Sequence, residues 1–401
     1  MRILLADADQ FYVAVARLAD PEGAGRTPLL IVGGSPQGRG VVTSASYEAR
    51  AYGVHSAMPM ARAVRLCPQA MVVPVPWDLC ARKAREIREV LERFTPVVEA
   101  ASSDEYYLDL TGTERLYRDE PLSQTALRIR EAVLAATSLS VSIGGGTSKL
   151  VAKLAATVAK PGGVRVVEPG AEVAFLDGFA LADLPFVGPR FQERLARFNL
   201  RTVAQARSAG REQLVRWLGE REGEWLWERI HGRDRSRVEP RGEPKSISRD
   251  ETFPTDIADD EVLRAELLRL VERAGRDLRE DSLQARTITV RVRDHDFTDR
   301  QASRTLSEPV SSDRAIARVA RELLTRLRKA RPVPVRLVGV ALSQMVRADD
   351  EIQLPLLAAA AEPAAESDTD RAVARAVDEV RRRVGPDAVA LGRIPSRRRR
   401  R

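Results

Sequence analysis

Two acidic clusters, far apart in the chain, each lie beside a short strand-like stretch of sequence. The first is Asp7, at the end of the apolar run 3–6. The second is the pair Asp104 and Glu105, next to the run 106–108. A carboxylate on an apolar strand is costly to bury unless a positive charge neutralises it. A pair of divalent metal ions would supply that charge, and such a pair catalyses nucleotidyl transfer.

The two clusters predict one metal site if their strands pair. Two ions about 3.5–4 Å apart need bridging carboxylates on a rigid support, and we expect Asp7 and Asp104 to provide them. Glu105 would hold the ion that activates the attacking hydroxyl. The backbone carbonyl of Ala8 would complete an all-oxygen octahedron suited to Mg²⁺. Taken singly, either cluster is better explained as surface carboxylates at the end of a turn.

Composition narrows the class of protein. The chain has 401 residues, 44% of them apolar, a net charge of +8 and a sequence pI of about 9.8. The length predicts two to four domains, and the charge favours a polyanionic partner. Cys67 and Cys80 form no CxxC motif, so we expect two reduced core thiols rather than a disulfide framework or a zinc site. No run of about 18 apolar residues and no leader are present, which predicts a soluble, cytoplasmic protein without membrane contact.

The first part of the chain reads as an α+β domain. We predict strands at 1–9, 29–33, 40–44, 140–145 and 164–167, a hairpin at 97–111, and helices at 47–52, 58–66, 78–94, 123–137 and 148–159. This order predicts an antiparallel-rich sheet covered by helices on one face. The glycine run 144–146 is followed by Thr147, Ser148 and Lys149, which is the wrong order for a phosphate-binding P-loop.

The second part begins with short helices over 168–234. Within it, 184–190 resembles a helix-hairpin-helix element whose turn amides would face a phosphate, with a plain helix–helix loop as the alternative. Residues 235–244 have a linker composition. A second α+β unit follows, with helices at 259–280 and 313–330 and strands at 286–293 and 335–343. We then expect a flexible stretch at 358–369, an amphipathic helix at 370–384, and five terminal arginines at 397–401.

Five segments together resemble the motifs of Y-family DNA polymerases, in that family's order and close to its spacings. They are the first catalytic motif at 7–12, the fingers motif at 47–54, the second catalytic motif at 102–109, the final palm motif at 159–163 and the start of the little finger at 245–248. The resemblance covers about residues 1–346. It implies an α+β multidomain fold with a ferredoxin-like palm (1–10 and 78–167), small fingers (11–77), a helical thumb (168–234), a linker (235–244), an α+β little finger that binds DNA (245–346) and a flexible tail (347–401).

The resemblance also implies an activity. The chain would be a template-directed, error-prone DNA polymerase for translesion synthesis, a monomer that uses two Mg²⁺ ions, primer–template DNA and dNTP. Asp7, Asp104 and Glu105 would be the catalytic residues and metal ligands, together with the carbonyl of Ala8. Two alternatives remain at this point: a catalytically weak polymerase-like adaptor in a mutagenesis complex, and a nucleotide cyclase on a similar palm.

The resemblance implies that residues in and around the fingers bind the incoming nucleotide. Tyr12 would be the steric gate that excludes a 2′-hydroxyl. Tyr47 and Arg50 are three apart on a predicted helix and therefore share a face, where a guanidinium fork suits phosphate oxygens. The full set of predicted nucleotide contacts is Phe11, Tyr12, Ser44, Tyr47, Arg50 and Lys160.

DNA would be held mostly through its backbone. The run 287–293 alternates, with Ile288, Val290 and Val292 inward and Thr289, Arg291 and Arg293 outward. A solvated sheet face is the alternative. The predicted DNA contacts are Lys149, Lys153, Gly188, Lys245, Arg249, Arg291, Arg293, Arg304 and Arg336.

The tail contains a short apolar peptide at 353–357. It resembles the peptide with which bacterial polymerases bind the sliding clamp, and a chance apolar patch is the alternative. The predicted clamp contacts are Gln353, Leu354, Leu356 and Leu357.

Four residues depart from the family pattern. Ser103 replaces an aliphatic residue, Tyr106 a small residue, Ser148 an asparagine and Phe186 a glycine. Ser103 and Tyr106 flank the acidic pair without removing a metal ligand. The departure at Ser148 weakens the case for a phosphate contact there, and that at Phe186 weakens the helix-hairpin-helix assignment.

Overall fold

The computed structural model describes residues 1–240, 242–348, 366–385 and 388–389. The chain divides into two compact units, Met1–Gly242 and Glu243–Arg401. The predicted clamp peptide and the terminal arginines lie outside the described residues. Within the described ranges, no helix combines the length and apolar character needed to cross a membrane.

The first unit contains eight strands and eleven α-helices among its described residues. The strands are β1 (Ile3–Ala8), β2 (Leu30–Gly33), β3 (Val42–Ala45), β4 (Met71–Val73), β5 (Val98–Ala100), β6 (Glu105–Asp109), β7 (Val141–Gly146) and β8 (Val164–Val166). The helices are α1 (Phe11–Ala19), α2 (Tyr47–Arg50), α3 (Met60–Leu66), α4 (Trp77–Leu91), α5 (Leu122–Thr137), α6 (Lys149–Ala159), α7 (Glu172–Leu176), α8 (Pro189–Ala196), α9 (Val203–Ala209), α10 (Arg211–Leu218) and α11 (Glu220–Ile230).

A five-stranded sheet carries the acidic strands. Its order is β5-β6-β1-β7-β8, with β1 antiparallel to both β6 and β7 and with β8 parallel to β7. Successive residues of a strand face opposite sides of its sheet. Leu4 and Ala6 accordingly pack in the core formed with α4 and α5, whereas Ile3 and Leu5 pack with α6. Helices therefore cover both faces, and the prediction that they cover one face was wrong.

The glycine run on β7 lets α6 approach the sheet closely. A Cβ atom on Gly144 would lie 2.0 Å from the backbone nitrogen of Ala156 and 2.1 Å from the backbone oxygen of Ala152. A Cβ on Gly146 would lie 2.5 Å from a methyl carbon of Val151. Packing therefore explains these glycines without a bound phosphate.

Two further substructures complete the first unit. A three-stranded sheet has the order β3-β2-β4, in which β2 is antiparallel to β3 and parallel to β4. The helices α7 to α11 surround a separate apolar core that includes Leu195, Leu214 and Leu226. Part of the predicted linker packs on the first unit, because Val238 is buried against Ile3 and neighbouring residues.

In its described residues, the second unit forms a four-stranded antiparallel sheet with helices on one face. Its elements are β9 (Ser246–Ile257), α12 (Asp260–Glu280), β10 (Leu283–Asp294), β11 (Asp299–Val310), α13 (Asp313–Ala330), β12 (Val335–Arg347) and α14 (Asp368–Val384). The strand order is β11-β10-β12-β9. Ile288, Val290 and Val292 are fully buried in the core with α12 and α13, which confirms the predicted alternation along β10.

The helix predicted at 370–384 is present as α14, and its charged side packs on the second unit. Arg381 is buried and pairs with Glu272 at 3.2 Å, and Arg279 of α12 pairs with Asp378 at 2.6 Å. Val373 and Val384 are exposed. Ion pairs rather than these valines therefore hold this helix.

Candidate active site

The pairing of β1 with β6 brings the two acidic clusters together. Asp7 lies directly opposite Glu105 in the antiparallel register, and the N–H of Ala8 donates to the carbonyl of Asp104 at 2.9 Å. The side chain of Ser102 orders the turn, because its hydroxyl donates to a carboxylate oxygen of Asp104 at 2.6 Å and accepts from the N–H of Glu105 at 3.1 Å. The predicted pairing of the acidic strands is thus confirmed.

The acidic cluster is short of positive charge. Only 7% of Asp7 is exposed, and burial raises the pKa of its carboxyl to about 6. The nearby Lys160 opposes that rise in the pKa, whereas the negative charges of Glu105 and Asp104 add to it. A buried carboxylate with acidic neighbours favours a bound cation.

Lysines from the loop after α6 and from α6 itself bond to these carboxylates. The Nζ of Lys160 lies 2.7 Å from Oδ1 of Asp7, and the Nζ of Lys153 donates to both carboxylate oxygens of Glu105 at 2.9 and 2.7 Å. Lys149 bonds in the same way to Glu99 at 2.7 Å. In the described part of the chain, no three His, Cys, Asp or Glu side chains converge as a formed metal site.

The donor set still fits a hard divalent cation. Asp7, Asp104 and Glu105 present carboxylate oxygens, which Mg²⁺ prefers as ligands. The two ammonium groups that now neutralise Asp7 and Glu105 sit on flexible four-carbon stems. A metal ion can therefore replace them.

The predicted steric gate stands at the start of α1. The hydroxyl of Tyr12 bonds to the Oγ of Ser103 at 2.9 Å, so the departure at 103 ties this ring to the turn that carries Asp104. The ring of Trp77 packs edge-on against Tyr12 at 6.0 Å between centroids. Phe11, predicted to contact the nucleotide, is 2% exposed and lies in the apolar core.

The helix α2 presents the predicted phosphate contacts. Its N-terminus is capped by the side chain of Ser46, and the side-chain oxygen of Gln10 accepts from the N–H of Tyr47 at 3.1 Å. The guanidinium of Arg50 lies 5.4 Å from the ring centroid of Tyr47. Ser44 lies on β3 and is 5% exposed.

The predicted DNA contacts of the second unit fall on different faces of its sheet. Arg291 and Arg293 lie on the face away from the helices, and both bond to Asp299. Arg304 is paired in register with the buried Ile288, so it lies on the helix face, where it bonds to Glu322 at 2.6 Å.

The remaining basic candidates have other surroundings. Arg249 bonds to Asp277 of α12. Arg336 lies over the ring of Phe297 at 4.6 Å. Lys245 is exposed just before β9, and Gly188 precedes α8.

Sequence reasoning missed Asp9. This residue is 7% exposed and accepts hydrogen bonds from three segments of the first unit. The sequence signal that could have identified Asp9 is a second carboxylate two positions after Asp7, directly after the end of the same strand.

Comparison with known protein families matches both units. The description "impB/mucB/samB family" fits residues 6–157, and "impB/mucB/samB family C-terminal domain" fits residues 244–356. A relative from Caulobacter vibrioides named DNA polymerase IV is 35% identical over 387 residues, which cover 96% of this chain and 92% of the relative. A DNA polymerase IV from Alkalilimnicola ehrlichii is 36% identical and covers 86% of this chain and 95% of the relative.

Solved structures give the same fold. A Y-family DNA polymerase chimera of Dbh and Dpo4 superimposes with a TM-score of 0.77 at 24% identity, over 86% of this chain and all of that one. The chain therefore belongs to the Y family of DNA polymerases. Within that family it is of the DNA polymerase IV type, a DNA-directed DNA polymerase.

Proposed function

We propose that this polymerase performs error-prone translesion synthesis, adding dNMP to a primer 3′-hydroxyl at a site built on Asp7, Asp104 and Glu105. The observation that carries the proposal is the β1–β6 register, which sets Asp7 opposite Glu105 with Asp104 one residue away. The alternative, a catalytically weak polymerase-like adaptor, would not need three carboxylates on two paired strands.

The metal ligands would be the three carboxylates and the carbonyl of Ala8. When bound, two Mg²⁺ ions would stabilise charge on the attacking and leaving oxygens of phosphoryl transfer. A metal ion would also neutralise Asp7 in place of Lys160. The ammonium of Lys160 would then be free to bind a triphosphate oxygen as a point charge. Arg50 supplies a forked donor for the same phosphates, and the Tyr47 hydroxyl, which donates to Asp9 at 3.4 Å, can turn to donate to them.

Sugar choice and lesion tolerance follow from the surroundings. The ring of Tyr12 would lie under the sugar and exclude a 2′-hydroxyl, held there by Ser103 and Trp77. The predicted fingers, residues 11–77, are short and rich in small residues. We expect an open site with little geometric checking of the base pair.

The DNA and protein partners follow from the second unit and the tail. The open sheet face presents Arg291 and Arg293 beside hydroxyl side chains such as Thr289, a surface suited to a phosphate backbone. A primer–template duplex would displace Asp299 from these arginines. The peptide at 353–357, with Leu354 and Leu356, would bind the sliding clamp, and the polymerase would act as a monomer.

Primer extension with Mg²⁺ and dNTP tests the proposal. Wild-type protein should extend the primer past a template lesion, and Asp104→Ala should abolish extension because it removes a metal ligand. Glu120→Ala is the matched control, since that carboxylate bonds to Thr125 at 2.7 Å away from the acidic strands. Equal extension by Asp104→Ala would refute the site, and no extension by wild type would favour the adaptor.

Sugar discrimination provides a separate test. Tyr12→Ala should raise ribonucleotide insertion relative to deoxyribonucleotide insertion, because it opens the space below the 2′-carbon. Unchanged sugar discrimination would mean that Tyr12 is not the steric gate.

Clamp binding needs its own measurement. Changing Leu354 and Leu356 together to Ala should abolish binding to a purified sliding clamp, while primer extension without the clamp continues. Retained binding would place the contact elsewhere.

A further inference from the structure

Asp9 is a buried carboxylate of the first unit that the proposed mechanism does not use. It directly follows β1 and is 7% exposed. An ionised group in such a place needs hydrogen-bond donors around it, because burial without partners is strongly unfavourable. The donors that surround Asp9 therefore show what this side chain holds together.

Each carboxylate oxygen of Asp9 accepts from two donors. Its Oδ1 accepts from the Ser142 hydroxyl at 2.7 Å and from the Tyr47 hydroxyl at 3.4 Å. Its Oδ2 accepts from the Ser140 hydroxyl at 2.8 Å and from the Gly162 N–H at 2.9 Å. Hydrogen bonds to an ionised acceptor are about twice as strong as those between neutral groups.

The donors come from three separate segments. Ser140 directly precedes β7 and Ser142 lies near its start, and Tyr47 is the first residue of α2. Gly162 lies two residues after Lys160, and its N–H also bonds to the Ser142 hydroxyl at 2.9 Å. Asp9 thus links the helix that presents Tyr47 to the loop that presents Lys160.

The contacts distinguish Asp9 from the proposed metal ligands. Asp7 and Glu105 each face a lysine ammonium, which a metal cation can replace. The four partners of Asp9 are neutral donors that point at its oxygens from the protein itself. An ion at Asp9 would have to break these bonds, so the chemistry of the surroundings favours a structural acceptor.

We infer that Asp9 is a positioning residue for the incoming nucleotide. It holds the loop of Lys160 through Gly162, and it orients the Tyr47 hydroxyl, whose single O–H turns from Asp9 to a triphosphate oxygen when the nucleotide binds. This inference rests on the proposed role of Tyr47 and Lys160 in nucleotide binding.

Single-nucleotide insertion at varied dNTP concentration tests the inference. Asp9→Ala should raise the KM for dNTP by about tenfold or more, with a smaller fall in kcat, because it loosens both phosphate contacts. A general folding defect would instead lower the active fraction, and therefore kcat, at unchanged KM. Binding of a non-hydrolysable dNTP analogue in the presence of Mg²⁺ should weaken by a similar factor.

Conservative and matched variants sharpen the result. Asp9→Asn should give an intermediate KM, because its amide oxygen can still accept from Gly162 while its amide nitrogen faces hydroxyls that can accept. Glu120→Ala removes a hydrogen-bonded carboxylate elsewhere in the same unit and should leave KM unchanged. If Asp9→Ala does not fold, the double variant Ser140→Ala and Ser142→Ala removes two of the four donors and should raise KM.

Variants of the phosphate contacts separate this inference from the proposed function. Tyr47→Phe and Lys160→Ala should each raise the KM for dNTP. If they do and the Asp9 and serine variants do not, the positioning role is refuted and the nucleotide site stands. If none of these variants raises KM, the proposed nucleotide site itself is wrong.

Discussion

The acidic site of the first unit and the helix face of the second unit both pair buried or partly buried carboxylates with cations, but the cations differ. In the first unit, Lys160 and Lys153 each bond to one carboxylate. In the second unit, Arg279 bonds to Asp378 through two nitrogens at 2.6 and 3.0 Å and to Asp313 through a third at 2.8 Å.

The difference follows from the two side chains. An ammonium is a point charge on a flexible stem, whereas a guanidinium is a rigid planar fork. The lysine pairs of the first unit can therefore exchange partners when a metal ion or a phosphate arrives. The arginine network of the second unit fixes the positions of α12, α13 and α14. The ion pairs of the carboxylates can thus exchange in the first unit, whereas those in the second unit are fixed.

The largest expected effect comes from Arg279→Ala. Removing the fork leaves Asp313, which is 5% exposed, without its hydrogen-bonded cation and with only Arg381 at 3.9 Å, and we expect the free energy of unfolding to fall by about 3–5 kcal/mol. Chemical denaturation measures this loss. The control is Arg314→Ala, whose side chain is 82% exposed and pairs with Asp370, and which should change stability by less than about 1 kcal/mol. Equal losses for the two variants would contradict the comparison.

Arg279→Lys separates charge from shape. The ammonium keeps the positive charge but cannot make the paired bonds to Asp378, so the free energy of unfolding should fall by about 2 kcal/mol. The same denaturation experiment checks it. A variant as stable as wild type would mean that the charge alone holds the network.

Backbone strain offers a second contrast between the units. Phe186 in the first unit and Phe297 in the second have φ values of 70° and 66°, in the left-handed region. Phe186→Gly should raise the free energy of unfolding by about 1 kcal/mol, because glycine adopts this conformation without strain. Phe297→Gly should raise the free energy of unfolding by less, because it loses the contact with Arg336. A larger gain at Phe297 would contradict this explanation.

The smallest effect is expected for Lys153→Met. Its pair with Glu105 is partly exposed, with 34% and 26% of the two side chains accessible, so its loss should change the free energy of unfolding by less than about 1 kcal/mol. Thermal unfolding without metal ions provides the measurement. A loss comparable to that of Arg279→Ala would show that the lysine pair is structural.

The sequence predicted elements with strong periodicity and missed those without it. The helices at 123–137 and 313–330 are present within a residue of their predicted bounds. The strands β9 and β11 were missed, since both lie at the edges of their sheet and read mostly as polar sequence, with Pro254 inside β9. An edge strand buries less apolar surface, so its pattern is weak.

The candidate site was predictable for residues that lie within a single sequence motif. It was not predictable for residues whose contacts come from distant segments. Asp7 and the acidic pair were found from their strands. The role of Asp9 depends on Ser142 and Gly162, which lie more than a hundred residues away, and nothing local reveals such contacts. The helix α6 covers the second face of the five-stranded sheet. The sequence did not predict this, because the close packing of α6 depends on Gly144.

Two of the departures from the family pattern, Ser148 and Tyr106, have local structural explanations. Ser148 caps α6 by accepting from the N–H of Val151, and its hydroxyl donates to the carbonyl of Gly232 at 3.0 Å. Tyr106 is buried in the apolar core and donates to the carbonyl of Ala84 at 2.9 Å. These residues therefore support the fold around the site.

The bond between Tyr12 and Ser103 has a consequence for how this enzyme can evolve. Ser103 immediately precedes Asp104, so one short turn both steadies the ring that we propose selects the sugar and carries a carboxylate that we propose binds the metal ions. A mutant selected to build RNA by releasing that ring would also disturb the acid beside it. Relaxed sugar choice would then come at the expense of turnover, and recovering speed would require a second substitution in the same turn.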